Sequence, residues 1–161
     1  MLVLKNARVL EELTPGVKGE TADIVVEGEK IVAIQDANTA SGDEVIDMTG
    51  NTVIPGLIDG HVHLDLSGMD TFEENTQSDA YRSMRALRLA QDNLRKGYTT
   101  LRDVGDRNNI VVEMARAIDE GLVVGPDIMP SGRILTPTEM GNNFFGDLYL
   151  EADSPMEFRK A

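Results

Sequence analysis

Residues 53–66 read VIPGLIDGHVHLDL and hold both histidines of the chain, His61 and His63, one residue apart. The apolar run that leads into them reads as a buried β-strand. Successive strand side chains point to opposite faces, so residues i and i+2 share one. Two imidazoles at that spacing offer two nitrogens in the same direction, a bidentate arrangement suited to zinc and its neighbours. Gly60 beside them lets backbone or a ligand approach closely. The same spacing also fits two polar strand-end side chains satisfied by hydrogen bonds.

The residues downstream of the pair favour the metal reading. Tyr81, Met84, Leu87 and Leu94 recur at helical spacing between Thr76 and Lys96, with Thr76 or Ser78 able to cap the start and Gly97 placed just past the end. YTTLRDVG (98–105) is strand-like, NNIVVEMARAIDEG (108–121) is helical again, and PDIMPSGRIL (126–135) reads as a third strand. Strand–helix–strand–helix–strand at these lengths predicts consecutive βαβ units and a parallel sheet. In a parallel α/β barrel the chemistry lies at the C-terminal ends of the strands, where the histidine pair falls.

Before the pair the chain reads as short strands. LVLKNARVL (2–10) and DIVVEGEKIVAIQ (23–35) are rich in Val and Ile, the second broken at Gly28 like a hairpin, and EVIDMTGNTVIPG (44–56) resembles a strand pair around Thr49-Gly50-Asn51. The expected organisation is a β-rich segment over 1–53 and the first three β/α units of a barrel over 54–161.

Composition excludes several functions. Acidic residues outnumber basic ones 28 to 15, a net charge of −13 that repels nucleic-acid phosphates and anionic membranes. No apolar run approaches the ~20 residues of a membrane span. The chain has no cysteine, so neither disulfides nor thiolate metal sites arise. With no signal-peptide pattern at the start, a cytoplasmic location is expected.

The stretch VIPGLIDGHVHL resembles the metal-binding signature of the amidohydrolase superfamily. GYTTLRDVG and SGRILTPT resemble the second and third barrel strands of its imidazolonepropionase-like and prolidase-like branch. The resemblance implies an α/β fold: an N-terminal β-sandwich segment followed by the first strands of a (β/α)8 TIM-type barrel, apparently truncated, since a whole barrel takes about 250 residues. It implies that His61 and His63 bind Zn2+ or another divalent metal, one or two per complete site. The remaining ligands, a carboxylated lysine, two more histidines and an aspartate, would come from later strands. It implies metal-activated hydrolysis of an amide or related C–N bond in a small-molecule or peptide-like substrate, with this chain alone catalytically incomplete.

Other residues are open to two readings. Asp103 in LRDVGD could orient a metal-bound histidine, or pair with Arg102 at the barrel rim, the ion pair being favoured. Asp65 reads as a solvated loop carboxylate, and Thr99 and Thr100 as strand formers. Met84 and Met114 read as core filler on apolar helix faces. TPTEMGNNFFGD (136–147) falls where a substrate loop would lie, but carries Glu139, Met140 and Asn142 in place of the Gly-Gly-His element relatives often have there. Ser67 lacks the surroundings of a serine nucleophile. DSPMEFRKA opens a helix with Ser154 as N-cap, Pro155 at its first position and Glu157 completing a capping box, then stops about two turns in, which reads as the front part of a longer design. Three strands cannot close a barrel, so self-association or pairing with a missing C-terminal half is expected. The competing functions are a non-catalytic half-barrel interaction module and a small metal-binding protein.

Overall fold

The computed structural model describes residues 1–10, 16, 19–66, 74 and 76–161. The chain divides into two compact units, Met1–Pro55 and Gly56–Ala161. No described helix is long and apolar enough to cross a membrane.

The first unit contributes one four-stranded layer: β1 (Leu2–Arg8), β2 (Thr21–Glu27), β3 (Lys30–Asp36) and β4 (Glu44–Asp47), in the order β3-β2-β1-β4. β2 and β3 form the expected hairpin, and β1 pairs antiparallel with β2 but parallel with β4. The strand pair expected around Thr49-Gly50-Asn51 does not form. Asp47 accepts from the backbone N–H and hydroxyl of Thr49, at 2.9 and 2.6 Å, and the chain turns only enough for Thr52 to bridge Arg8 in parallel. The chain therefore continues along β1 instead of folding back on β4. Asp23 of β2 is fully buried and accepts N–H bonds from Asn6, Thr39 and Ala40 at 3.0, 3.0 and 2.9 Å. Those donors fix the bulge in β1, where Asn6 adopts a left-handed conformation open to asparagine. Burial pushes this carboxyl up, but the ring of N–H donors outweighs it and holds Asp23 below the usual carboxylate range.

The second unit is built on β5 (Leu57–Val62), β6 (Tyr98–Asp103) and β7 (Asp127–Pro130), all parallel in the order β5-β6-β7. Helix α1 (Asp79–Arg95) connects β5 to β6, and α2 (Ile110–Asp119) connects β6 to β7. The first strand starts at Leu57, since Val53–Pro55 lies outside it. PDIMPSGRIL is not one strand. It breaks at Ser131–Arg133, and β8 (Ile134–Thr136) pairs with β9 (Tyr149–Glu151) in a separate two-stranded sheet. The third barrel strand is thus Asp127–Pro130, and the Ile134–Thr136 part of SGRILTPT belongs to the small sheet.

Ser78 caps α1, its hydroxyl accepting from Tyr81 N, and Gly97 past the helix end takes φ 95°, a conformation that favours glycine. The α1 face against the sheet carries Ala86 and Ala90, packed with Leu64, Leu101, Ile110, Val111 and Met114. Small residues on that face let helix and strand approach closely. Tyr81 and Met84 point away, and Met84 is 72 % exposed, so only Met114 of the two methionines fills the core. The short helix α3 (Pro155–Lys160) is capped by Ser154, whose hydroxyl accepts from Glu157 N. The Glu157 carboxylate reaches back one residue further than a capping box requires, to Asp153 N at 2.8 Å.

Candidate metal centre

Parallel pairing brings the C-terminal ends of β5, β6 and β7 to one edge. Val62 lies opposite Asp103, and Asp103 opposite Pro130. His61 is the penultimate residue of β5, and His63 stands one residue past its end. Their ring centroids are 5.4 Å apart, with the planes at 74°. His61 is exposed and His63 half-buried. The i, i+2 spacing therefore does bring the rings together.

The His63 ring is held from one side. Its Nδ1 lies 3.0 Å from the Gly105 carbonyl oxygen. A carbonyl can only accept, so Nδ1 carries the proton and, in the neutral ring, Nε2 is the nitrogen with the lone pair. The backbone N–H of His61 donates to Asp59 Oδ1 at 3.1 Å, fixing the strand just before the pair. Gly60 is not needed for packing: a methyl group there would meet nothing within 4 Å.

Asp103 corrects the favoured expectation. Arg102 donates to the Met129 carbonyl at 3.2 Å and does not pair with Asp103. Neighbouring side chains on a strand face opposite ways, which forbids the pair that proximity in sequence suggested. Asp103 is fully buried and accepts from Leu64 N at 2.8 Å and Gly105 N at 3.1 Å. Burial pushes its carboxyl above the usual range against the opposing effect of those two bonds. It touches neither imidazole through a hydrogen bond; it ties the backbone just after His63 to that of Gly105.

Asp65 is the second correction. Far from solvated, it is fully buried between two guanidinium groups. Arg82 of α1 donates to it through Nε at 2.8 Å and through Nη2, and Arg107 through Nε and its backbone N–H, both at 3.2 Å. Burial raises the Asp65 carboxyl, yet the two arginines prevail and hold it below its usual range. Arg85 adds a bond to the Asp65 carbonyl at 3.0 Å. The turn after His63 is thereby pinned to α1 and to the loop before α2.

Sequence reasoning passed over Gly105, Arg82, Arg107 and Asp106. Asp106 is buried and accepts from Val111 N at 2.6 Å in the first turn of α2; burial pushes its carboxyl up. Asp106 lies four residues before Ile110, and the local capping signal falls on Asn109 instead, so the sequence did not point to it. Within 136–147, Glu139 and Met140 are exposed, and Asn142 donates to Glu151 at 2.7 Å. Ser67 lies outside the described residues.

The donor set fits a divalent metal: two imidazoles on one strand end, one with its tautomer set by a carbonyl. Among the described residues no third His, Asp or Glu completes a three-ligand group.

Residues 52–156 match the sequence model of the amidohydrolase family. The chain belongs to that family. This amidohydrolase chain is 46 % identical over 65 residues to an adenine deaminase of Lysinibacillus sphaericus, covering 40 % of this chain and 11 % of that protein. It is 40 % identical over 74 residues to a dihydroorotase of Streptococcus thermophilus, covering 46 % and 17 %. A crystal structure of a prolidase complexed with N-methylphosphonate-L-proline superposes with a TM-score of 0.76 at 29 % identity, over 99 % of this chain and 42 % of that one. The chain thus spans less than half the length of each of these relatives.

Proposed function

We propose that His61 and His63 are metal ligands of a metal-dependent amidohydrolase that hydrolyses an amide or related C–N bond of a small-molecule or peptide-like substrate. The observation that carries this is the His63 ring, whose Nδ1 is committed to the Gly105 carbonyl while Nε2 stays available beside the His61 ring. The deaminase, dihydroorotase and prolidase relatives support the C–N bond class.

Zn2+ or another divalent ion, one or two in a complete site, supplies Lewis acidity toward a carbonyl and lowers the pKa of water to about 7. The residues of this chain hold and orient. His61 and His63 offer nitrogen lone pairs, and Asp65 with Arg82 and Arg107 keeps the turn after His63 from drifting. Two ligands fall short of the three protein ligands a catalytic zinc normally has, so further ligands must come from outside the pair, and the pair by itself is catalytically incomplete.

Titration with Zn2+ by calorimetry tests the reading. The chain is expected to bind Zn2+ weakly at one equivalent and to lose that binding in the His61→Ala/His63→Ala double variant. Equal binding by both proteins would contradict it.

A second reading, an assembly module, is favoured by one observation. β5 and β7 are the edges of the three-stranded sheet, and they expose Ile58 (72 %) and Met129 (57 %). Under that reading sedimentation shows concentration-dependent self-association, which Ile58→Lys weakens.

A further inference from the structure

Four hydrogen-bonding groups around His63 form a closed circuit. His63 Nδ1 donates to the Gly105 carbonyl at 3.0 Å. Gly105 N donates to Asp103 Oδ1 at 3.1 Å. Asp103 Oδ2 accepts from Leu64 N at 2.8 Å, and Leu64 is joined to His63 by a peptide bond. The carboxylate at the hub is fully buried, so water does not compete for either bond.

We infer that Asp103 is a positioning residue: by gripping Leu64 and Gly105 together it presses the Gly105 carbonyl onto His63 and fixes that ring as the Nδ1–H tautomer, with Nε2 turned to the metal. This deepens the proposed function and rests on the reading of His63 as a ligand.

Sterics point the same way. A Cβ at Gly105 would lie 2.3 Å from Cγ1 and 2.6 Å from Cδ1 of Ile134, and 3.3 Å from His63 Cε1. Any side chain at Gly105 would force Ile134 to move and crowd the imidazole, whereas glycine lets the chain pass with its carbonyl this close. Ile134 of β8 thus acts as the backstop of the circuit. Partners of this kind set which ring nitrogen is protonated, and their loss typically weakens metal binding by about 10–100-fold.

A chain with two histidines gives an assignable test. Two-bond 1H–15N correlation spectra of 15N-histidine-labelled protein at about pH 8, above the ordinary histidine range, report each tautomer, and His61→Gln identifies the signals. Wild-type His63 is expected as the Nδ1–H form. Asp103→Asn keeps the shape but sets an NH2 group against one of the two N–H donors; His63 should then revert to a tautomer mixture, and Zn2+ binding should weaken by about 10-fold or more.

Gly105→Ala should produce the same mixture, and adding Ile134→Ala, which removes the colliding carbons, should restore the Nδ1–H form. This pair tests the circuit even if Asp103→Asn fails to fold. An Nε2–H tautomer in the wild type would overturn the inference. So would a folded Asp103→Asn protein with an unchanged His63 signal, or a Gly105→Ala loss that Ile134→Ala does not repair. The expected tautomers with no Zn2+ response at the His63 Nε2 signal would overturn the ligand reading while leaving the circuit standing.

Discussion

Asp23 in the first unit and Asp103 in the second are both fully buried, and both bind backbone N–H groups instead of cations. They are nonetheless pushed in opposite directions, Asp23 below the carboxylate range and Asp103 above it. Burial, donors and neighbouring charge all differ: N–H bonds alone oppose burial at Asp23, while at Asp103 the Asp65 charge pushes the same way as burial. Asp23 sits in a ring of N–H groups contributed by two segments, enough to outweigh burial, whereas Asp103 has two and burial wins. The circuits also end differently. Every donor to Asp23 belongs to the frame of its own sheet, so that carboxylate closes a structure. The Asp103 circuit ends on the His63 imidazole, so that one bears on a side chain proposed as a metal ligand.

Asp65 extends the contrast because charges, not dipoles, satisfy it. Asp65→Ala leaves the guanidinium groups of Arg82 and Arg107 buried without it, and is expected to cost about 3–5 kcal/mol in urea unfolding of the second unit. A loss under about 1 kcal/mol would show that the clamp is not what holds the turn after His63.

Core and surface methionines should separate next. Met114→Ala is expected to cost roughly 2–5 kcal/mol and Met84→Ala under about 0.5, measured by the same unfolding. Comparable losses would put Met84 back on a packed face.

Asp23→Asn removes one acceptor from a fully enclosed ring and is expected to cost about 1–3 kcal/mol. The pH dependence has a definite sign. Because the folded-state pKa of Asp23 is lowered, its stabilisation is complete above the ordinary carboxylate value of about 3.9 and is lost as pH falls through the lower folded value. Thermal melting between about pH 7 and pH 2 should therefore show a drop below about pH 4 that Asp23→Asn diminishes. An identical drop in the variant would mean that Asp23 does not govern acid stability.

The smallest effect belongs to the α1 cap: Ser78→Ala should lower stability by about 0.5–1 kcal/mol, since its bond to Tyr81 N is long at 3.4 Å.

The range of each interaction sets how much of it could be read in the sequence. The βαβ order and the shared direction of His61 and His63 rest on local periodicity, and both hold. The same period of two, applied to Arg102 and Asp103, would have ruled out their ion pair. Asp65 was beyond reach because its partners lie 17 and 42 residues away, and nothing local distinguishes a carboxylate that will meet two arginines from one that meets water. The α1 face was misread for a related reason. Tyr81 and Met84 looked like the apolar stripe, while the buried side is made of Ala86, Ala90 and an arginine whose charge is met by Asp65. In the first unit, the turn at Thr49 looked like a hairpin because turn residues mark a change of direction without giving its angle.

The proposed hydrolase function depends on the two imidazoles of β5 and its end holding a divalent metal, with His63 Nδ1 already engaged. X-ray absorption at the zinc edge, on the chain loaded with one equivalent of Zn2+, is the decisive measurement. Two imidazole scatterers with Zn–N near about 2.0–2.1 Å are expected, both absent from the His61→Ala/His63→Ala variant. A spectrum without imidazole scattering, or one unchanged in the double variant, would refute the metal centre.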